Sequence, residues 1–155
     1  MRNLFYFFSI LIALSCISLD GYSQELTIKQ KEEIISEITV LFEKSIKAAE
    51  TIDVKMMADN VDDSLRAGFI TNGHFFYSFD EVMDDFGNKI KGCKSQKMNV
   101  TKKKITVLGD NAALLVASGD YSVALEDGRT LTGKFAWTLV YSKVNGKWKL
   151  VHSHM

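Results

Sequence analysis

Several common sources of stability and function are scarce in this sequence. Its 155 residues include no proline, two cysteines and three histidines, and 19 basic residues balance 19 acidic ones. We expect Cys16 to be lost with an N-terminal segment, which leaves Cys93 as the single cysteine and excludes an internal disulfide. A formal charge of zero does not favour a nucleic-acid partner. No linker, internal repeat or low-complexity tract divides the chain. We therefore predict a single domain that is stabilised by the packing of its side chains.

The N-terminal residues have the pattern of a secretory signal peptide. A basic start is followed by an apolar run over Leu4–Leu14 and by small residues suited to cleavage after Ser23. The run is shorter than the roughly 20 residues that span a bilayer. We therefore predict a signal peptide over 1–23, a domain over 24–155, and an exported protein, periplasmic or secreted, with no stable membrane span. Cys16 lacks the leucine that stands three residues before a lipoprotein cysteine, so lipid anchoring is the disfavoured alternative.

The residue pattern in the first half of the domain predicts three helices. Thr27 and Gln30 have the spacing of a capping box, and apolar residues then recur every three to four positions, as on one face of a long helix. Asp53 can cap a short second helix. Ser78 and Glu81 have capping-box spacing at the start of a third helix.

The second half predicts strands joined by tight turns. Asn72 and Gly73 suit a short hairpin between two apolar runs. After the third helix, alternating runs are separated by turn-forming residues at 109–111, 126–129 and 145–146. These runs predict a four-stranded antiparallel meander. The whole domain is then α+β, with its helices packed on one face of the sheet.

The turn at 145–146 determines which side chains face the helices. A two-residue loop there pairs Leu139 with His152 and Trp137 with His154. Because side chains alternate along a strand, both histidines then share a face with the large apolar residues. We expect both imidazoles to point towards the interior or a pocket that opens into it.

The turn at 126–129 determines the orientation of a candidate acid. A two-residue loop centred on 127–128 places Asp120 on the inner face, diagonal to the region of His154. One additional loop residue would reverse this inference and turn Tyr121 inward instead.

This order of elements, with "FITNGHFFYSFDEVMDDF" in the middle and "WKLVHSH" near the end, resembles the nuclear transport factor 2-like superfamily. It is most similar to the SnoaL-like and calcium/calmodulin-dependent kinase association-domain-like branches. The resemblance covers residues 26–155 and implies a cone-shaped, cystatin-like fold, in which a long N-terminal helix and two shorter helices pack on a curved antiparallel sheet. A related ketosteroid isomerase uses an aspartate base on the early hairpin strand, whereas residues 66–71, "RAGFIT", offer no carboxylate there.

The resemblance leaves three functions open, because the fold includes isomerases, dehydratases, ligand binders and modules without catalysis. The first is binding of a small, partly apolar ligand in the cone pocket by Tyr77, Trp137, His152 and His154. The second is a cofactor-independent lyase or isomerase in which Asp120 orients His154 for proton transfer. The third is a noncatalytic module that forms a homodimer or binds a protein through a broad sheet face. A histidine near a core is usually a hydrogen-bonded structural residue, which argues against the second function.

No cofactor is expected, and a metal site is disfavoured. His152 and His154 share a strand face, but no third and fourth ligand accompany them. Cys93 has no recognisable catalytic partner. The sequence also contains neither a nucleophile elbow nor a phosphate-binding glycine loop. The basic run at 102–104 is typical of a solvated strand edge.

Overall fold

A computed structural model describes residues 25–155, so the predicted signal peptide and Cys16 lie outside the described residues. The helices and strands follow in the order α1 (Ile28–Thr51), α2 (Val54–Asp59), β1 (Phe69–Thr71), β2 (His74–Phe76), α3 (Phe79–Lys89), β3 (Cys93–Val107), β4 (Ala112–Leu125), β5 (Thr130–Val144) and β6 (Lys147–His154). This is the predicted α+β order. Within the described range, no helix combines the length and apolar character that crossing a membrane requires.

The three helices begin at the predicted caps. The Gln30 amide donates to Thr27 Oγ1 at 3.3 Å, and the Thr27 amide donates to Gln30 Oε1 at 2.9 Å, which completes the capping box. Asp53 Oδ1 accepts from the backbone amide three residues later at 2.9 Å. Ser78 Oγ accepts from the Glu81 amide at 3.3 Å. Local side-chain chemistry therefore positions the start of every helix in the domain.

The six strands of the described residues form one sheet in the order β2-β1-β6-β5-β4-β3. The strands β3 to β6 are the predicted antiparallel meander. The predicted hairpin also forms, with Asn72 and Gly73 at φ values of 51° and 78°. Its strand β1 then pairs in parallel with β6, where Ile70 lies opposite His154. The sequence did not predict this pairing, which makes β6 an interior strand of the sheet.

Helix α1 crosses the inner face of the sheet and forms the core with it. Three buried side chains of the helix, Ile34, Ile38 and Phe42, face the sheet. The strands contribute a second buried set: Ala113, Leu115, Ala117, Leu139, Tyr141, Trp148 and Leu150. The predicted inner face of β5 and the first half of β6 is therefore confirmed.

Two glycines, Gly119 on β4 and Gly133 on β5, allow β3, β4 and β5 to approach one another closely on the inner face of the sheet. Gly119 lies opposite Phe135, and Gly133 lies opposite Tyr121, so each glycine faces an aromatic residue of the neighbouring strand. A Cβ on Gly119 would lie 1.9 Å from the Asn99 carbonyl oxygen and 2.9 Å from the Phe135 ring. A Cβ on Gly133 would lie 2.6 Å from the Tyr121 ring. A side chain at either position would collide with its neighbour.

Candidate functional site

The hairpin loop between β4 and β5 closes on the pair Leu125 and Arg129, so it has three residues, 126–128, one more than the turn used to predict the register. The Leu125 amide donates to the Arg129 carbonyl at 2.9 Å across the loop. Gly128 has a φ of 88°, and Asp127 Oδ1 accepts from the Arg129 amide at 3.0 Å. A turn followed by a glycine in the left-handed region is the usual geometry of a three-residue hairpin loop.

This longer loop shifts the register of β4 by one residue. Trp137 lies opposite Ala117, whereas the two-residue loop would have placed Ser118 there, and Ser118 lies opposite Ala136, the residue before Trp137. The prediction that Asp120 faces inward is therefore wrong. Tyr121 takes the inner face, because a shift of one residue exchanges the two faces of a strand.

A bulge in β6 changes the register of the last strand in the same way. Tyr141 lies opposite Leu150 as predicted, but its neighbour Val140 lies opposite His152. Val151 is the additional residue. Leu150 is 8 % exposed and Val151 is 4 % exposed, so two consecutive residues are buried where a regular strand would bury one.

Beyond the bulge, the histidines leave the inner face. Ser153 is 1 % exposed and lies opposite the buried Leu139. His152 and His154 lie on the outer face, and the prediction that they point inward is wrong. His152 Nδ1 donates to the Gly68 carbonyl at 2.8 Å, which ties β6 to the segment before β1. His154 is exposed.

Asp120 and His154 lie on the same outer face but do not meet. The Asp120 carboxylate accepts from Asn99 Nδ2 at 3.0 Å. His154 lies opposite Thr138, which lies opposite Val116 on β4. The distance from Val116 to Asp120 along the strand is about 13 Å, and His154 is two strands away. A catalytic role for either residue stays a prediction, but they do not form the expected proton-transfer pair.

The predicted ligand-binding residues do not share one face of the sheet. The Tyr77 side chain is 77 % exposed and its ring contacts the Phe75 ring edge-on, with centroids 5.0 Å apart. Trp137 is half-buried on the inner face, 6.4 Å from the Phe42 centroid and 4.6 Å from the Phe135 centroid. Trp137 therefore lies on the opposite face of the sheet from the two histidines. Their roles in binding stay predictions.

A cavity lies where α1 crosses β3, and sequence reasoning did not predict it. We call it the α1–β3 groove. It has a volume of about 700 Å³. Its apolar surface comes from Phe42, Ile46 and Val100. The remaining lining residues are polar or charged: Glu43, Lys47, Glu50, Thr51, Thr101, Lys102 and Lys103.

Both acidic residues of the groove already have partners. Lys103 Nζ lies 4.0 Å from Glu43 Oε1 and 5.5 Å from the centroid of the Phe42 ring. Glu50 Oε1 accepts from the Met98 amide at 3.0 Å. The Glu50 contact satisfies a backbone donor on β3, which is an edge strand of the sheet. These contacts hold the helix wall and the strand wall of the groove together. Among the described residues, no cluster of three or more His, Cys, Asp or Glu is placed to hold a metal ion.

Two buried polar groups lie on the inner face. Within residues 25–155, neither the Tyr141 hydroxyl nor Trp148 Nε1 has a hydrogen-bond partner. Burial raises the pKa of Tyr141 above its ordinary value of 10.0. The Tyr141 hydroxyl therefore stays protonated inside the core at any physiological pH.

Comparison with known families supports the fold read from the sequence. The sequence profile of the SnoaL-like domain matches residues 38–155. No curated protein sequence matches the chain significantly. The resemblance stated above to the nuclear transport factor 2-like superfamily is confirmed.

Solved structures agree with this match. A nuclear transport factor 2-like superfamily protein from Salmonella enterica serovar Typhimurium superposes with a TM-score of 0.72 at 19% identity, covering 80% of this chain and 90% of that one. A calcium/calmodulin-dependent protein kinase II association-domain-like protein from Xanthomonas campestris gives 0.65 at 19% identity, covering 76% and 83%. A hexachlorocyclohexane dehydrochlorinase, LinA-type3, from Novosphingobium barchaimii gives 0.69 at 14% identity, covering 83% and 88%. At these identities the likeness confirms the predicted cone fold and carries no activity across.

Proposed function

We propose that this chain, which belongs to the SnoaL-like domain family, binds a small, partly apolar ligand in the α1–β3 groove. The observation that carries the proposal is a concave site with an apolar floor. Its volume of about 700 Å³ lies within the roughly 300–1,000 Å³ of small-molecule sites. Ile46 and Val100 would contact the apolar part of the ligand, and the buried Phe42 ring would form the base of the groove.

The walls of the groove belong to rigid elements. Phe42 is 2 % exposed and is packed edge-on against Trp137, so its ring cannot move without disturbing the core. Trp137, one of the residues predicted to bind ligand, would act here by supporting Phe42 from behind. A site formed before the ligand arrives loses less conformational entropy on binding.

Filling the groove should block binding. Ile46 is half-buried on α1, and an Ile46→Trp substitution would place an indole in the cavity. We expect at least tenfold weaker binding of a neutral aromatic probe, naphthalene-2-carboxamide, measured by titration with amide chemical shifts. In the unaltered protein, the shifts should concentrate at the groove residues.

The matched control is Val40→Trp. Val40 is on the same helix, is 62 % exposed and does not line the groove. This variant should bind the probe like the unaltered protein. Shifts that cluster away from the groove, or equal affinities in the two tryptophan variants, would contradict the proposal. Thermal unfolding of both variants separates a blocked groove from a damaged fold.

Assembly through the outer sheet face is a second candidate. Several apolar or small side chains occupy outward positions around the middle of β4 and β5, and Val116 is 39 % exposed among them. The outward residues of this region are Leu114, Val116, Ser118, Ala136, Thr138 and Val140. The inner face, by contrast, is packed against α1. A second copy of the chain could cover this face by two-fold packing.

Introducing a charge tests this candidate. If the outer face is a dimer interface, Val116→Asp should convert a dimer into a monomer in sedimentation equilibrium, because an unpaired carboxylate would be buried. Val40→Asp, on an exposed part of α1, should leave the mass unchanged. A monomeric unaltered protein at millimolar concentration would rule out assembly through this face.

A further inference from the structure

We infer that the ligand of the α1–β3 groove is a short extended peptide that pairs with the free edge of β3. The inference rests on the proposed function and names the chemical class of its ligand. β3 is an edge strand, and no strand of the described residues pairs with the side of β3 that faces away from β4. Every residue that lines the groove belongs to α1 or β3, so the groove lies along this edge.

The lining residues of β3 come from both faces of the sheet, as expected of a groove that opens at a strand edge. Lys103 lies opposite Ala117, which is on the inner face. Lys102 lies opposite Ser118, which is on the outer face. A cavity confined to the inner face would not reach Lys102.

The backbone groups of Val100 point into the groove. In an antiparallel pair, the N–H and C=O of one residue point to the same side of the strand, and those of the next residue point to the other side. The Met98 amide donates to Glu50 Oε1 and therefore points away from β4. No bulge separates Met98 from Val100, so the N–H and C=O of Val100 also point away from β4. A backbone donor and a backbone acceptor thus lie beside the apolar floor.

Lys103 presents a second donor and acceptor beyond the bulge that follows Val100. At the other end of β3, the Leu108 amide donates to the Ala112 carbonyl at 2.9 Å, so these two residues form a hydrogen-bonded pair. Counting back from Leu108, every second residue bonds to β4, and the residues between them direct their backbone groups away from it. Lys103 is one of the residues that point away. The groove edge therefore offers backbone donors and acceptors at positions 100 and 103.

A peptide has the complementary pattern of partial charges. In antiparallel pairing, a peptide residue opposite Val100 would exchange both backbone hydrogen bonds with it. Its side chain would lie on the same face as that of Val100 and would enter the groove beside Ile46. The charged groups that surround this side chain balance, and they belong to Glu43, Lys47, Glu50 and Lys103. The groove therefore favours a neutral, apolar side chain at this position of the peptide.

The rest of the edge limits the length of the peptide. Glu50 occupies the Met98 amide, a bulge interrupts β3 after Val100, and lysines lie at 102 to 104. Such features are typical of edge strands that resist pairing with another long strand. Val100 and Lys103 lie opposite residues of β4 that are two positions apart, so about three peptide residues span both.

A matched pair of peptides tests the pairing. The probe is acetyl-leucyl-threonyl-leucine methylamide, and its partner carries a methyl group on the nitrogen of the second leucine. The methyl group keeps the leucine side chain and removes the N–H that would donate to the Val100 carbonyl. We expect the methylated peptide to bind at least about tenfold more weakly in titrations followed by chemical shift, because a hydrogen bond is lost and the added group separates the strands.

Amide hydrogen exchange locates the pairing on the protein. The unmethylated peptide at saturation should slow exchange of the Val100 and Lys103 amides at least about fivefold, because both would become hydrogen-bonded. The Ile105 amide is the internal control, because Ile105 is on the same edge but outside the groove lining. Its exchange rate should not change. Naphthalene-2-carboxamide, which has no peptide backbone, should not slow the pair.

A proline removes the donor from the protein. Val100→Pro should weaken binding of the peptide about tenfold more than it weakens binding of naphthalene-2-carboxamide. Proline is tolerated in an edge strand where the N–H points outward, and thermal unfolding checks that the fold is intact. Val100→Ala is the matched control, since it shortens the same side chain but keeps the N–H. It should weaken binding of both ligands to a similar extent.

The outcomes distinguish the inference from the proposed function. Equal affinity for the two peptides, or unchanged exchange at Val100 and Lys103 in the saturated complex, would overturn the pairing. So would a peptide that does not bind while naphthalene-2-carboxamide binds in the groove, and the proposed function would then stand. Absence of binding by all three probes would count against the proposed function itself.

Discussion

Gly119→Ala is expected to destabilise the protein by about 3 kcal/mol, which is large for a single methyl group. The added Cβ would lie 1.9 Å from the Asn99 carbonyl oxygen, and that atom belongs to the backbone of the neighbouring strand. No rotamer change can relieve the collision, so β3 and β4 must separate locally. Urea denaturation at pH 7 measures the loss, and the melting temperature should fall by roughly 10 °C.

Gly87→Ala is the matched control and should act in the opposite direction. Gly87 lies within α3, and a Cβ there meets nothing within 4 Å. Alanine is the better helix former, so the free energy of unfolding should rise by about 0.5–1 kcal/mol. If Gly119→Ala were as stable as the unaltered protein, the close approach of β3 and β4 would be refuted.

The buried hydroxyl of Tyr141 should make stability fall steeply in alkaline solution. The side chain is 0 % exposed, and burial raises its pKa above the ordinary 10.0. Above pH 10 the unfolded chain therefore loses this proton while the folded chain keeps it. The unfolded state is then favoured, and the free energy of unfolding should decrease by up to about 1.4 kcal/mol for each pH unit.

Tyr141→Phe should remove this contribution. Near pH 7 the variant should differ from the unaltered protein by less than about 1 kcal/mol, because the hydroxyl has no partner to lose. Above pH 10 it should become the more stable of the two. Tyr77→Phe is the control: its side chain is 77 % exposed, so the pH profile should not change. Parallel profiles for Tyr141→Phe and the unaltered protein would contradict the buried position of the hydroxyl.

Most of the fold could be predicted because it depends on local signals. The caps at Thr27, Asp53 and Ser78, and the turn at 145–146, all act within a few residues. The orientation of the candidate catalytic residues depended on counting through turns, and a single additional residue exchanges the two faces of a strand. The predicted register is wrong after the loop at 126–128, which a glycine lengthens by one residue. It is wrong again after Val151, where a second consecutive apolar residue is buried.

The groove could not be predicted from the sequence. Its floor combines Phe42 and Ile46 on α1 with Val100 on β3, which lies about 55 residues later along the chain. These residues come together only because of the angle at which α1 crosses the sheet. One signal was available: Phe42, Ile46 and Glu50 repeat every four residues. That spacing identifies a helix face but does not say which strand lies opposite it.

The position of β6 between β1 and β5 restricts the order in which the chain can fold. Gly68 and His152 are 84 residues apart in the chain, yet they are hydrogen-bonded across the β1–β6 boundary. During synthesis, β1 and β2 therefore leave the ribosome long before the strand that they join, and their exposed edge has no partner until β6 has been made. Closing so long a loop is slow and costs entropy, so the sheet is completed late. A chaperone that holds the chain during synthesis would meet the unpaired edge of the hairpin at 69–76 until β6 has been made.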